Sequence, residues 1–302
     1  MNTMPFFLTT ALLASTLLNS CNSTPAEQST TDFSTTQADQ GKKGKKGKKG
    51  KKSKGEDVEL NKVGDLEEVR ESSGLALADT PGTFYTFSDA GNPPIVYKVS
   101  ETGKLLGTLR LSATNHDWES ISRDNQGYYY LADAGNNSND REDLAILRFR
   151  PKTPNQVDKI NFSYADQTEF PPKKGDRNFD VEASLWHQNQ LYLFTKDRAN
   201  SSTSKVYTLP DQPGTHKAKL LTKLSIPGQV TDANLSPNGR RLVLMGKEEM
   251  FVLEGSSLAD ALKATPRQIS LKGAGQTEGV VFTNDNTIYI STEQGDLYKY
   301  EF

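Results

Sequence analysis

NHDWESIS (residues 115–122) sets two carboxylates, Asp117 and Glu119, beside Trp118 in a stretch that otherwise reads as a β-strand. Asp and Glu are depleted in strands, so their presence here needs a cause. The cause is repetition. SSGLAL (72–77), DVEASLW (180–186), VTDANLS (230–236) and QTEGVVF (276–282) carry the same arrangement, a polar or acidic residue followed by a small one. The pairs are Ser73-Gly74, Glu119-Ser120, Glu182-Ala183, Asp232-Ala233 and Glu278-Gly279, and the second member is small in all five.

The chain downstream of each copy repeats as well. A second strand comes some 14 to 16 residues on, as in FYTFSDAGN, YYYLADAGN and LYLFTKDR, and a third strand succeeds it. The first four copies add a fourth strand, among them KLLGTLRL and DKINFSY. Short strands in groups of four, returning about every 50 residues between Gly, Asn, Asp and Pro punctuation, predict a β-propeller. The fifth copy stops at Phe302 after three strands, while DVELNKVG (57–64) precedes the first copy without a partner. Placing that N-terminal strand at the outside of the last unit closes the ring and covers an exposed edge. The expectation is an all-β fold, a single β-propeller of five four-stranded blades closed by the N-terminal strand. Six blades remain the alternative, with the long insert at 150–178 hiding part of one. A β-sandwich would account for strands but not for the fivefold return of acid plus small residue.

In a propeller the first strand of each blade lies nearest the axis. A small residue there eases the approach of neighbouring blades, and strand alternation turns its polar neighbour into the channel. The predicted axial ring is Ser73, Glu119, Glu182, Asp232 and Glu278. Converging carboxylates repel, and burial adds to the cost, so raised pKa values, nearby Lys or Arg, or a bound cation must offset them. Oxygen donors without cysteine or clustered histidine point to a hard ion. Ca2+ suits such a set better than Mg2+, which demands stricter octahedral geometry. Around the mouth the ends of the second strands supply a polar rim of mixed sign: Asp89, Asn92, Asp133, Asn136, Lys196, Asp197, Arg198, Lys247 and Glu293, with His116 beside the axis. Gly91 and Gly135, in two copies of DAGN, read as turn residues. The sequence has no nucleophile elbow, no GxGxxG after a strand and no metal-spaced histidine cluster.

The N-terminal region carries a separate message. Residues 1–20 form a short apolar run interrupted by Thr and Ser, which reads as a signal peptide rather than a membrane span. It ends in Leu18-Asn19-Ser20-Cys21, which resembles the lipobox of bacterial lipoproteins, although the leading residues lack Lys and Arg. Cys21 is the only cysteine, so no internal disulfide exists and lipidation is its expected role. That resemblance implies a protein anchored by acyl chains in a bacterial envelope membrane, outer membrane included, on its periplasmic or surface side. Residues 21–55 form a Lys-, Gly- and Ser-rich disordered tether whose stretch 41–55 holds nine lysines. Outside residues 1–55 the chain has 27 basic and 35 acidic residues. An acidic domain argues against nucleic acid as its partner. The propeller domain is expected over 56–302.

SSGLA, DWESI and QTEGVVF resemble the inner-strand motifs of phytase-like and SdiA-regulated propellers, across the whole of 57–302. In layout the chain is also similar to the calcium-activated nucleotidases (apyrases), five-bladed propellers with one axial Ca2+ held by Ser and Glu. That likeness implies Ca2+ ligation by Ser73, Glu119, Glu182 and Glu278. Asp232 departs where those enzymes have Ser, and their phosphate-gripping basic loops have no counterpart here. Two functions emerge as expectations. One is a membrane-anchored envelope propeller binding a small-molecule or protein ligand, with an axial Ca2+. The alternative is a metal-dependent phosphoesterase or esterase, so whether the chain is an enzyme stays open, and its catalytic residues stay unassigned.

Overall fold

The structure, a computed structural model, describes residues 56–302. The expected signal peptide, tether and Cys21 lie outside these residues. β1 (Glu56–Asp57) and β2 (Asn61–Asp65) lead into the repeating units. The first meander is β3 (Ser72–Leu77), β4 (Thr83–Ser88), β5 (Ile95–Ser100) and β6 (Leu105–Arg110). The second is β7 (Trp118–Arg123), β8 (Tyr129–Asp133), β9 (Ala145–Phe149) and β10 (Val157–Tyr164). The third is β11 (Val181–His187), β12 (Gln190–Thr195), β13 (Thr203–Pro210) and β14 (Gly214–Ser225). The fourth is β15 (Asp232–Leu235), β16 (Arg241–Gly246), β17 (Glu249–Glu254) and β18 (Arg267–Ser270), with the short α1 (Leu258–Ala261) between its last two strands. The fifth has three strands of its own, β19 (Thr277–Asn284), β20 (Thr287–Thr292) and β21 (Asp296–Glu301).

β2 supplies the fourth strand of the last meander, antiparallel to β21, with Asn61 opposite Lys299 and Asp65 opposite Asp296. The chain thereby joins its beginning to its end. The innermost strands touch in the order β3, β7, β11, β15, β19 and back to β3, so the five units form a closed ring. No further meander occurs among the described residues; the insert between β10 and β11 is loop with one 3-10 turn at Lys174–Asp176.

A separate apolar core fills each junction between neighbouring blades. Phe87, Trp118 and Leu131 lie between the first two, Ile146, Phe162 and Leu193 between the second and third, and Leu185, Leu242 and Phe251 between the third and fourth. Val243, Ile269 and Ile290 fill the next junction, and Leu75, Phe84 and Tyr289 close the ring. Trp118 is fully buried edge-on to Phe87, with ring centroids 6.1 Å apart. Each such side chain contributes roughly 1.5–3 kcal/mol by burial. A blade is covered on both faces, so its middle strands read as near-continuous apolar runs, as Leu242 to Met245 of β16 do.

The small residue of the repeat acts as expected at Gly279, whereas Gly74 makes room for a ring of its own blade. A Cβ on Gly279 would lie 3.0 Å from the Gly74 carbonyl carbon and from Leu75 Cβ in the next blade, and one on Gly74 would lie 2.8 Å from the Phe87 ring. At the perimeter, β10 and β14 pair in parallel, Ile160 to Tyr164 beside Gly214 to Ala218, joining two blades into one eight-stranded sheet. β1 adds in parallel to β18. Both pairings cover edges that would otherwise stay open.

Candidate functional site at the channel mouth

Four of the five inner strands are broken at the repeat. In β7 Trp118 pairs with Asp133 and Ser120 with Ala132, which leaves Glu119 as an extra residue. β11 pairs Val181 with Thr195 and Ala183 with Phe194, leaving Glu182. β19 pairs Thr277 with Thr292 and Gly279 with Ser291, leaving Glu278. In β3 the register shifts between Ser72 and Leu75, freeing Ser73 and Gly74. A bulge releases its extra residue from the ladder and re-aims the side chain. Here the four bulges deliver Ser73, Glu119, Glu182 and Glu278 to one cavity of about 210 Å³, which Glu71, Asp89, Asn137, Lys196, Arg198, Gln276 and Glu293 also line.

Asp232 breaks the pattern and corrects the predicted ring. β15 runs against β16 in unbroken register, Asp232 opposite Met245 and Ala233 opposite Leu244. Without a bulge its carboxylate is not aimed at the cavity. One oxygen accepts the Ser120 hydroxyl at 3.1 Å and the other the Val280 N–H at 2.8 Å. Asp232 therefore ties three blades together. Burial holds it well above the usual carboxylate range, against the pull of those bonds.

The cavity is electrically uneven. Glu182 faces Lys196 Nζ at 2.8 Å and an Arg198 nitrogen at 2.5 Å, and Arg198 also grips the fully buried Asp180 at 2.5 Å and the Asn137 side chain. Burial, then Asp180, push Glu182 up to about 7 against those two cations. Burial works to lower Lys196, but Glu182 and Glu278 outweigh it and raise the ammonium. Glu278 accepts from the Gln276 amide at 2.8 Å; burial, opposed by Lys196 and aided by Glu182, pushes it to about 7.

Glu119 has no such cation. It is 6% exposed, and its contact with a donor is the Ser73 hydroxyl at 3.5 Å. Asp117 and Asp89 lie beside it, each offering a carboxylate oxygen, with all three oxygens within 4.8 Å of one another. Burial first, then Glu182, Asp117 and Asp89, hold Glu119 well above its ordinary range. Burial, Asp89 and Glu182 push Asp117 up to about 6, against the pull of Arg141 and a hydrogen bond shared with Glu119. A group of this kind can hold a metal ion. Gly135 is shaped around it: a Cβ there would overlap the Asp117 and Glu119 carboxylates, and its φ is not positive, so it is glycine for close approach rather than for a turn. Gly91, at φ +76° with open space around it, is the turn residue expected.

The remaining rim residues divide. Asp89, Lys196, Arg198 and Glu293 line the cavity. Asn92 donates to Glu71 and to the Asp89 carbonyl, bracing the loop below the mouth. His116 stands half-exposed with Nδ1 2.7 Å from Asp133 Oδ2, and buried Asp133 also accepts the Asp117 N–H at 3.1 Å and lies 3.4 Å from Arg141. Three predictions fail. Asn136 is buried and uses its side chain on the Phe179 carbonyl and the Asp140 and Arg141 N–H groups, because the loop after β8 folds back over it. Asp197 is buried as a turn cap, accepting from Ala199, Asn200 and Ser202. Lys247 is exposed and does not line the cavity.

The residues not foreseen are Asp117, Glu71, Asp180 and Gln276. Asp117 was signalled by its place two residues before Glu119. Glu71 sits at positive φ (53°) immediately before the Ser72-Ser73 bulge.

The model of the SdiA-regulated family matches residues 57–301. No curated protein matches the chain. Among solved structures, a gluconolactonase from Xanthomonas campestris is 13% identical over 80% of this chain and 89% of its own, with a TM-score of 0.51. A virginiamycin B lyase from Staphylococcus aureus is 13% identical over 76% of this chain and 66% of its own length, with a TM-score of 0.40. A glutaminyl cyclase from Myxococcus xanthus is 9% identical over 80% and 93%, with a TM-score of 0.49. At such identities the likeness is one of fold.

Proposed function

The chain belongs to the SdiA-regulated family, and from that premise we propose that it is a lipid-anchored envelope propeller whose channel mouth binds Ca2+ and, with it, a small-molecule or protein ligand. One observation carries this reading: Glu119 is nine-tenths buried beside Asp89 and Asp117 and lacks the direct ion pairs that Glu182 makes. Ca2+ takes oxygen ligands at about 2.3–2.6 Å, so two ligands on opposite sides of it stand roughly 5 Å apart. The triad fits that span. Ser73 Oγ, water and ligand oxygens are available to complete a shell of about 6–8. The anchor rests on the lipobox-like stretch ending at Cys21.

Thermal unfolding with EDTA and with added Ca2+ tests the ion. At about 100 times Kd a ligand stabilises the folded state by about 2.7 kcal/mol, and in a domain of this size that is a rise of roughly 5–10 °C in Tm. Gly135→Ala should lose most of the rise by displacing both carboxylates. An unchanged Tm in the wild-type protein sinks the proposal. For the anchor, Cys21→Ala should release the chain from membranes; continued retention contradicts lipidation.

A metal-dependent esterase or phosphoesterase is the second reading, and the His116–Asp133 pair favours it. Asp133 fixes the imidazole through Nδ1, leaving Nε2 on an exposed edge, and the same carboxylate accepts the Asp117 N–H. A histidine so oriented can take a proton from water, while a bound cation would supply charge to polarise a carbonyl or phosphoryl oxygen. Release of p-nitrophenol from ester and phosphate substrates, with and without Ca2+, decides. Flat traces, unaltered by His116→Ala, remove this reading and leave the binding one standing.

A further inference from the structure

Far from the axis, β14 departs from the rest of the surface. It is the longest strand among the described residues, and its outer edge is paired with β10 only from Gly214 to Ala218. Beyond that point the edge is open. The ladder to β13 pairs Leu220 with Tyr207 and Thr222 with Val206, so Leu221 is the extra residue of a bulge. Leu220 is 38% and Leu221 52% exposed, two of four large apolar side chains so exposed among the described residues. Lys217, Lys219 and Lys223 are exposed on the same strand. Lys223 also lines a groove of about 660 Å³ between the third and fourth blades, with Leu224, Phe251, Leu262 and Pro266 as apolar walls and Lys263 on its rim. Lys263 lies near Asp260, which offsets part of its charge, while Lys217, Lys219 and Lys223 stand exposed.

Lysines and a bulge on an open edge are an ordinary defence against strand addition. Two adjacent exposed leucines contradict that purpose, since they would invite the contact the lysines prevent. Basic side chains flanking projecting apolar ones fit a different surface, where anionic headgroups lie above hydrocarbon. We propose that the outer edge of β14, with its adjoining groove, docks the propeller on an anionic phospholipid surface. Charge selects this patch: the domain as a whole is acidic, with 35 acidic against 27 basic residues beyond position 55, and an anionic surface repels most of it. The nine lysines at 41–55, which precede the described residues in the sequence, suit the same kind of surface. A second copy of the chain fits worse, because antiparallel self-pairing of KLLTK would set like charges opposite each other.

The test places a reporter on the strand in the full chain carrying Cys21→Ser, which leaves an introduced cysteine as the sole thiol. Leu221→Cys, or Leu106→Cys on the first blade as the control, is labelled with an environment-sensitive fluorophore and mixed with vesicles. On phosphatidylglycerol vesicles the label at 221 should brighten and shift to the blue, while the label at 106 should not. Neither should respond to phosphatidylcholine alone, and added salt should weaken the response. Adding Lys219→Glu with Lys223→Glu should weaken binding read at 221 by about tenfold or more, given the usual effect of each charge near an anionic surface. Equal responses at 106 and 221 overturn the proposal, as does silence at 221 on vesicles that carry the chain down. A response that grows with protein concentration in the absence of lipid also overturns it and assigns the edge to a second copy.

Discussion

Glu119 and Glu182 occupy the same bulged position in adjacent blades, yet they live in opposite electrostatic settings. Glu182 meets Lys196 and Arg198 from the end of its own second strand. Glu119 meets Asp117 and Asp89 instead. One half of the mouth pairs its acid directly with two cations; the other concentrates three carboxylates that Arg141 and Arg198 influence only from a distance. The difference teaches where the site is. A buried acid with paired cations is a finished structural element, whereas one held beside two other carboxylates calls for an ion from outside.

The largest expected effect comes from breaking the finished half. Arg198→Met leaves buried Asp180 and Glu182 without the guanidinium they share, and should cost about 3–5 kcal/mol in denaturant unfolding while Ca2+ still raises the Tm. Glu119→Gln should act with the opposite sign. In EDTA it relieves repulsion and raises the denaturation midpoint, and the Ca2+ response disappears. Equal effects of the two substitutions would erase the distinction between the halves. Asp232→Asn sharpens it from a third position. The amide presents one oxygen where two are used, so about 1–2 kcal/mol is lost, with Ca2+ affinity unchanged. A large fall in that affinity would return Asp232 to the ring.

The smallest effect is on pH. Asp117, Glu182 and Glu278 are pushed up from ordinary carboxylate values to about 6, 7 and 7. The folded state then holds protons that the unfolded chain has released. Their contribution to stability is present below about pH 4 and is lost as pH rises through 6 to 7. In EDTA the Tm should therefore fall between pH 5 and 8. The gap between Ca2+ and EDTA should widen as pH rises through about 6, where the ion takes the place of the proton on Asp117. A flat difference across that interval would show that the acids do not titrate with the ion.

DAGN shows how far local sequence reaches. At 89–92 the tetrapeptide makes a turn at Gly91 and presents Asp89 to the cavity. At 133–136 the same letters bury Asp133 against His116, use Gly135 to admit two carboxylates, and commit Asn136 to the loop that covers it. The identity of the residues was legible in both places, but their roles depend on chain segments 16 to 44 residues away, which no local reading supplies. Lys196 and Arg198 were legible as rim residues, and their pairing with Glu182 rather than Glu119 was not.

By itself the sequence determined the propeller, because alternating apolar strands with a small residue beside a polar one recur five times and leave one strand at each end to be joined. It also determined which acids stand near the axis in four blades. Only the tertiary structure decided which carboxylates face the cavity and which of them lack counter-charge. A bulge is a property of two paired strands, so one strand's sequence did not reveal that Glu119, Glu182 and Glu278 would be turned out of the ladder while Asp232 stayed in it.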